Sequence, residues 1–99
     1  MTTPLIEIDA NGNKRWRLPN GDLHRLDGPA IEYIDGSTRW YVNGELHRLD
    51  GPAVDIVGGY KSWYIYGEQY NFLDFIKNVK PYVSDETYLI LTLTYGDSK

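Results

Sequence analysis

The sequence predicts a mainly β fold with a small α part: an antiparallel meander of three β-hairpin repeats, capped by one C-terminal helix and a final strand. Three observations predict it. One stretch of chain occurs twice at a fixed period, turn dipeptides punctuate short β-prone runs, and a later segment carries its apolar residues at helical spacing. With 99 residues the chain makes one domain, residues 1–99.

The repeat sets the frame. Gly21-Asp22-Leu23-His24-Arg25-Leu26-Asp27-Gly28-Pro29-Ala30-Ile31-Glu32 returns 23 residues later as Gly44-Glu45-Leu46-His47-Arg48-Leu49-Asp50-Gly51-Pro52-Ala53-Val54-Asp55. Nine of the twelve positions are identical, and the other three exchange Asp with Glu or Ile with Val. Each unit reads as a hairpin. Leu5–Ile8 turns at Asn11-Gly12 into Arg15–Leu18; Ile31–Ile34 turns at Asp35-Gly36 into Thr38–Val42; Val54–Val57 turns at Gly58-Gly59 into Lys61–Ile65. Trp16, Trp40 and Trp63 fall at equivalent places, and the hairpins span residues 5–70.

The third unit starts the connector again as Gly67-Glu68-Gln69-Tyr70 and then departs. Asn71 is an N-cap candidate with Asp74 three residues on, and Phe72, Phe75, Ile76 and Val79 repeat at helical spacing, which predicts a capping helix over 71–80 stopped by Pro81. After the polar turn Ser84-Asp85-Glu86, the alternation of Leu89, Leu91 and Leu93 predicts a strand over 87–95. That segment is uncharged and β-prone, so it must be covered, either within the chain or by a homodimer paired through 87–95.

Composition excludes several classes of function. There is no cysteine, hence no disulfide and no thiolate chemistry. A net charge of −4 opposes phosphate docking, so nucleic acid is not expected as a partner even though Arg and aromatic residues interleave. No apolar run approaches the roughly 18 residues of a membrane span, and the start carries no secretory signal, so a cytoplasmic protein without a membrane partner is expected. No nucleotide loop or nucleophile elbow is present, and no cofactor or metal is implied.

Strand alternation divides the remaining side chains. Trp16, Trp40 and Trp63 share the face that the helix is expected to cover. Arg15, Arg17, Arg39, Tyr41 and Tyr64 share the other, with Glu7, Glu32 and Asp55. That second face reads either as a solvated surface with cross-strand ion pairs such as Glu32–Arg39, or as a partner-binding surface, since Arg and Tyr are enriched in interface hot spots. The connector residues His24, Asp27, Gly28 and Pro29, and again His47, Asp50, Gly51 and Pro52, read as structural. Equivalent residues of adjacent hairpins lie about 10 Å apart, two strand spacings, so His24 and His47 cannot share one metal ion. Glycine there is expected for unusual dihedrals, and histidine and aspartate for hydrogen bonds to backbone and to the neighbouring unit. The alternatives are partner contact, or catalysis by His47, Arg48 and Asp50 in a small hydrolase or nuclease.

The Trp-Tyr-x-Asn-Gly and Gly-x-x-His-Arg-x-Asp-Gly-Pro-Ala strings resemble a variant MORN-type hairpin repeat, the "HRxDGPA" form of phage and giant-virus proteins, over residues 5–70. The chain lacks the usual Tyr-x-Gly-Glu rhythm of that repeat. The resemblance implies a protein- or lipid-binding scaffold. The expected function is therefore a non-enzymatic protein–protein interaction module, an accessory protein in the host cytoplasm that binds, and in one version inhibits, a host protein such as a CRISPR effector or restriction enzyme. A structural or lipid-binding scaffold is the further alternative.

Overall fold

A computed structural model describes residues 3–96. It is mainly β: antiparallel sheets followed by two helices. The strands are β1 (Leu5–Ile8), β2 (Lys14–Arg17), β3 (Ile31–Glu32), β4 (Thr38–Arg39), β5 (Tyr41–Val42), β6 (Glu45–Leu46), β7 (Val54–Ile56), β8 (Tyr60–Ile65) and β9 (Glu68–Tyr70). Seven run in the order β1-β2-β3-β4-β7-β8-β9, and β5 with β6 forms a separate two-stranded ribbon. The chain from Thr38 to Val42 is expected as one strand. It breaks at Trp40, so that β4 stays in the sheet while β5 leaves it.

Turn chemistry sets the register. Gly12, Gly36 and Gly59 close the outer turns with φ of 94°, 96° and 115°, a region that side chains with a Cβ avoid. Two polar side chains tie neighbouring outer turns together: Asn13 Oδ1 accepts from the Ile34 amide at 2.9 Å, and Ser37 Oγ accepts from the Val57 amide at 3.0 Å. Register pairs Ile31 with Arg15 on one side and with Arg39 on the other. Glu32 stands opposite Lys14 and Thr38, and so lies on the tryptophan side of the sheet.

Helix α1 (Phe72–Val79) starts where Asn71 accepts from the Asp74 amide at 2.9 Å, and it buries Phe75 and Val79. Pro81 does not stop the chain outright. It sits inside a single 3-10 turn, Lys80–Tyr82. Residues 87–95 are not a strand: α2 runs Asp85–Tyr95. Ser84, expected in a turn, is its N-cap and accepts from the Thr87 amide at 3.0 Å, while Asp85 and Glu86 supply negative charge to the first turn. The segment is apolar on every side, so period 2 and period 3.6 both fit its sequence. Leu91, with Tyr88 and Tyr95 half-buried a turn before and after it, is the pattern the fold uses.

The core sits at this end of the molecule. Trp63, Phe75, Val79 and Leu91 are buried together, with Phe72, Ile76 and Tyr95 packed against them. The Trp63 ring has Phe72, Phe75 and Tyr95 each at 4.9 Å between centroids. Full burial of such side chains contributes about 1.5–3 kcal/mol each. Against expectation, the helices cover Trp63 alone; Trp16 and Trp40 remain half-buried outside this cluster. Among the described residues no helix is long and apolar enough to cross a membrane.

Candidate functional site

The connectors place their histidines on the next unit. His24 Nδ1 accepts from the Asn43 amide at 3.0 Å, and His47 Nδ1 accepts from the Tyr66 amide at 2.9 Å. Asn43 and Tyr66 are first residues of two-residue turns, with φ of 51° and 45°, each followed by a glycine at positive φ. An aromatic residue disfavours that conformation, and Tyr66 is held in it by the hydrogen bond and by its ring, stacked on His47 at 3.9 Å. Backbone bonds repeat the same step. The Arg25 amide donates to Tyr41 O and the Arg48 amide to Tyr64 O, both at 3.1 Å; Gly44 and Gly67 amides donate to Leu23 O and Leu46 O, both at 2.8 Å. Burial pushes the His47 imidazolium below its ordinary pKa, with the Glu45 carboxylate opposing.

The connector arginines fold the other way, onto their own hairpin. Arg25 Cζ lies 3.9 Å from the Trp16 ring centre, and Arg48 Cζ lies 3.9 Å from that of Trp40. Nε of each donates to the aspartate two residues on, Asp27 at 3.0 Å and Asp50 at 2.8 Å. A terminal nitrogen donates to the carbonyl of Pro29 or Pro52 at 3.2 Å. Arg25 adds Glu32 at 3.1 Å, which removes the expected Glu32–Arg39 pair. Gly28 and Gly51 are not at unusual dihedrals. They make room: a Cβ would stand 2.8 Å from Arg25 Cζ and 2.5 Å from Arg48 Cζ. Ala30 and Ala53 are fully buried, and their carbonyls accept from the amides of Trp16 at 2.9 Å and Trp40 at 2.7 Å. The arginine lid was the residue role that sequence reasoning missed. Its signal was available: arginine follows histidine where a hairpin tryptophan lies, and in the third unit Asn71 takes that place just where aromatic side chains cover Trp63.

The Arg/Tyr face is half-buried rather than open. Arg15 is paired with Asp9 at 2.9 Å, which holds the Asp9 carboxyl well below the usual carboxylate range. Arg17 is paired with Glu7 at 3.0 Å and donates to Gly21 O at 3.0 Å. Tyr41 and Tyr64 are half-buried, and Ile31 and Val54 between the strands are buried. Arg39 has no ion pair among the described residues, and its Nε is sealed from solvent without a partner.

The tryptophan side carries a row of grooves. The first, about 410 Å³, is lined by Pro4, Trp16, His24, Arg25 and Leu26, among others. The second, about 280 Å³, is lined by Leu26, Trp40, His47, Leu49 and Tyr66, with Arg25 again on its wall. The third, about 370 Å³, is lined by Leu49, Ile65, Tyr66, Tyr70, Asn78 and Tyr82. Neighbouring grooves share side chains, so the three adjoin. Among the described residues no group of three or more His, Asp or Glu side chains is placed to hold a metal ion. Comparison with protein-family models, with curated proteins and with solved structures finds no match for this chain.

Proposed function

We propose that the protein is a non-enzymatic recognition module of three MORN-like hairpin units, and that its protein partner lies along the grooves on the tryptophan side. The observation that carries this is the row of adjoining grooves, rimmed by Leu26 and Tyr66, which are 73% and 63% exposed. Large apolar side chains left in water beside a concave surface favour a partner. The connector's polar groups support a non-enzymatic role. His47 Nδ1 is occupied by a backbone amide, and Arg48 and Asp50 bond each other at 2.8 Å, which leaves no base aligned on a nucleophile. The Arg/Tyr face is the weaker alternative, because two of its arginines are already paired within the chain. In the phage setting the resemblance implies, the partner is a host protein.

Selection of binders from a random peptide library tests this reading. Clones are expected to lose affinity at least about tenfold against Leu26→Asp, and to bind an Arg39→Ala/Tyr41→Ala/Tyr64→Ala variant unchanged. The reverse pattern moves the partner to the Arg/Tyr face.

A second reading rests on α2, where Leu89, Ile90 and Leu93 are 56%, 55% and 73% exposed on a helix with no charge after Glu86. We propose that two copies associate through this face. Sedimentation at micromolar concentration is expected to give a dimer that Leu89→Glu/Leu93→Glu converts to monomer; a wild-type monomer refutes it.

A further inference from the structure

We propose that the three adjoining grooves take a polyproline II segment of the partner, with an apolar side chain entering at every third residue. This rests on the recognition reading above and names its ligand.

The spacing is the first argument. The first groove is lined by Trp16 on β2, the second by Trp40, which directly follows β4, and the third by Ile65 on β8; these are the second, fourth and sixth strands of the main sheet. Successive units therefore stand two strand spacings apart, about 9.6 Å. A polyproline II helix has three residues per turn and a rise of about 3.1 Å, so its equivalent side chains recur every ~9.3 Å along one edge. A β-strand presents one face every ~6.7 Å, and an α-helix reaches a comparable step only on every second turn, about 10.5 Å. Only the polyproline form meets successive grooves with successive turns.

Hydrogen bonding is the second. A polyproline II segment has no internal hydrogen bonds, so its carbonyls need external donors. Among the described residues only Arg39 Nε is both sealed and unpartnered. The indole N–H groups of Trp16 and Trp40 have no acceptor among the described residues and are not sealed, and both rings line grooves. Asn78 and Tyr82 bring further polar groups to the third. Charge is the third argument. Arg25 is matched by Asp27 and Glu32, and Arg48 by Asp50, so the groove walls favour a neutral ligand over an acidic one.

The test titrates the full chain with a dodecapeptide of repeated Leu-Pro-Pro, against an isomer of the same composition whose leucines are spaced by two and four. Tryptophan emission reports binding. The regular peptide is expected to bind at least about tenfold tighter, and to lose that advantage with Leu26→Asp and with Tyr66→Asn. Leu26 is largely exposed, and asparagine already occupies the equivalent turn position as Asn43, so both variants are expected to fold. Equal affinity for the two isomers overturns the polyproline inference. Library clones that are sensitive to Leu26→Asp but space their apolar residues by two or seven overturn it too, while leaving the recognition reading standing. A library that yields no clone sensitive to Leu26→Asp overturns both.

Discussion

Protonating His47 at Nδ1 removes the acceptor for the Tyr66 amide, which would then be left without its bond in a half-buried site. The folded-state pKa lies below the ordinary 6.5, because burial favours the neutral ring. As pH falls through 6.5 the unfolded chain takes up a proton that the folded chain does not. Stability from this group is therefore present above that pH, and is lost as pH falls toward the lowered folded value. His47→Ala is expected to lower the unfolding free energy at pH 7.5 by about 1–3 kcal/mol and to flatten the slope between pH 7 and 5. Urea denaturation across that range measures both; an unchanged slope assigns the acid sensitivity elsewhere. In Gly51→Ala the new methyl group displaces Arg48, the flexible partner, from the Trp40 ring, at a cost of about 0.5–2 kcal/mol. Thermal melting should drop, and Trp40 emission should shift as its cover leaves. The histidine's attachment to its neighbouring unit was legible in the repeat, since a duplicated polar phrase implies a duplicated local structure. The space that Gly28 and Gly51 provide was not legible, because glycine at an ordinary φ looks in sequence like glycine at a positive one.

The two helices show how a local signal is read or misread. α1 was legible because its cap, its apolar spacing and its surroundings agree: Asn71 bonds the Asp74 amide, and Phe75 and Val79 are fully buried. α2 misleads because Leu89, Leu91 and Leu93 alternate as in a strand, yet only Leu91 of the three is buried. Packing decided the matter. Leu91 and Tyr95 add a second layer over Trp63 beside α1, and they do so from a helix. Leu91→Ala is expected to cost about 2–5 kcal/mol, and Leu93→Ala less than about 0.5 kcal/mol, by equilibrium denaturation at a concentration too low for copies to associate. Equal costs would mean that α2 packs through a different edge. The outer turns were legible, since the glycines of Asn11-Gly12, Asp35-Gly36 and Gly58-Gly59 take backbone conformations that few other residues tolerate, whereas the Tyr66-Gly67 turn was not, because tyrosine gives no signal for a positive φ.

Across the whole molecule, two chemistries cover three equivalent tryptophans. Trp16 and Trp40 carry a guanidinium, and Trp63 carries aromatic rings from the C-terminal helices. Arginine covers a ring while keeping its own polar groups satisfied by Asp27 or Asp50, so these two units need no further layer of chain. The third lacks that arginine and takes the helices instead. This asymmetry explains why the expected helical cover over all three tryptophans does not occur. At the opposite end, β1 leaves Leu5, Ile6 and Ile8 from 50% to 69% exposed along an edge of the sheet. Such an edge invites another strand.

The fixed offset of 19 residues between each imidazole and the amide it holds makes the middle of the molecule self-templating. A copied stretch of one period, spliced in at a connector, would find donor and acceptor waiting on both sides, and would leave the terminal helices undisturbed on their own tryptophan. Length is thus a free parameter of this architecture, set by how many times the phrase is written.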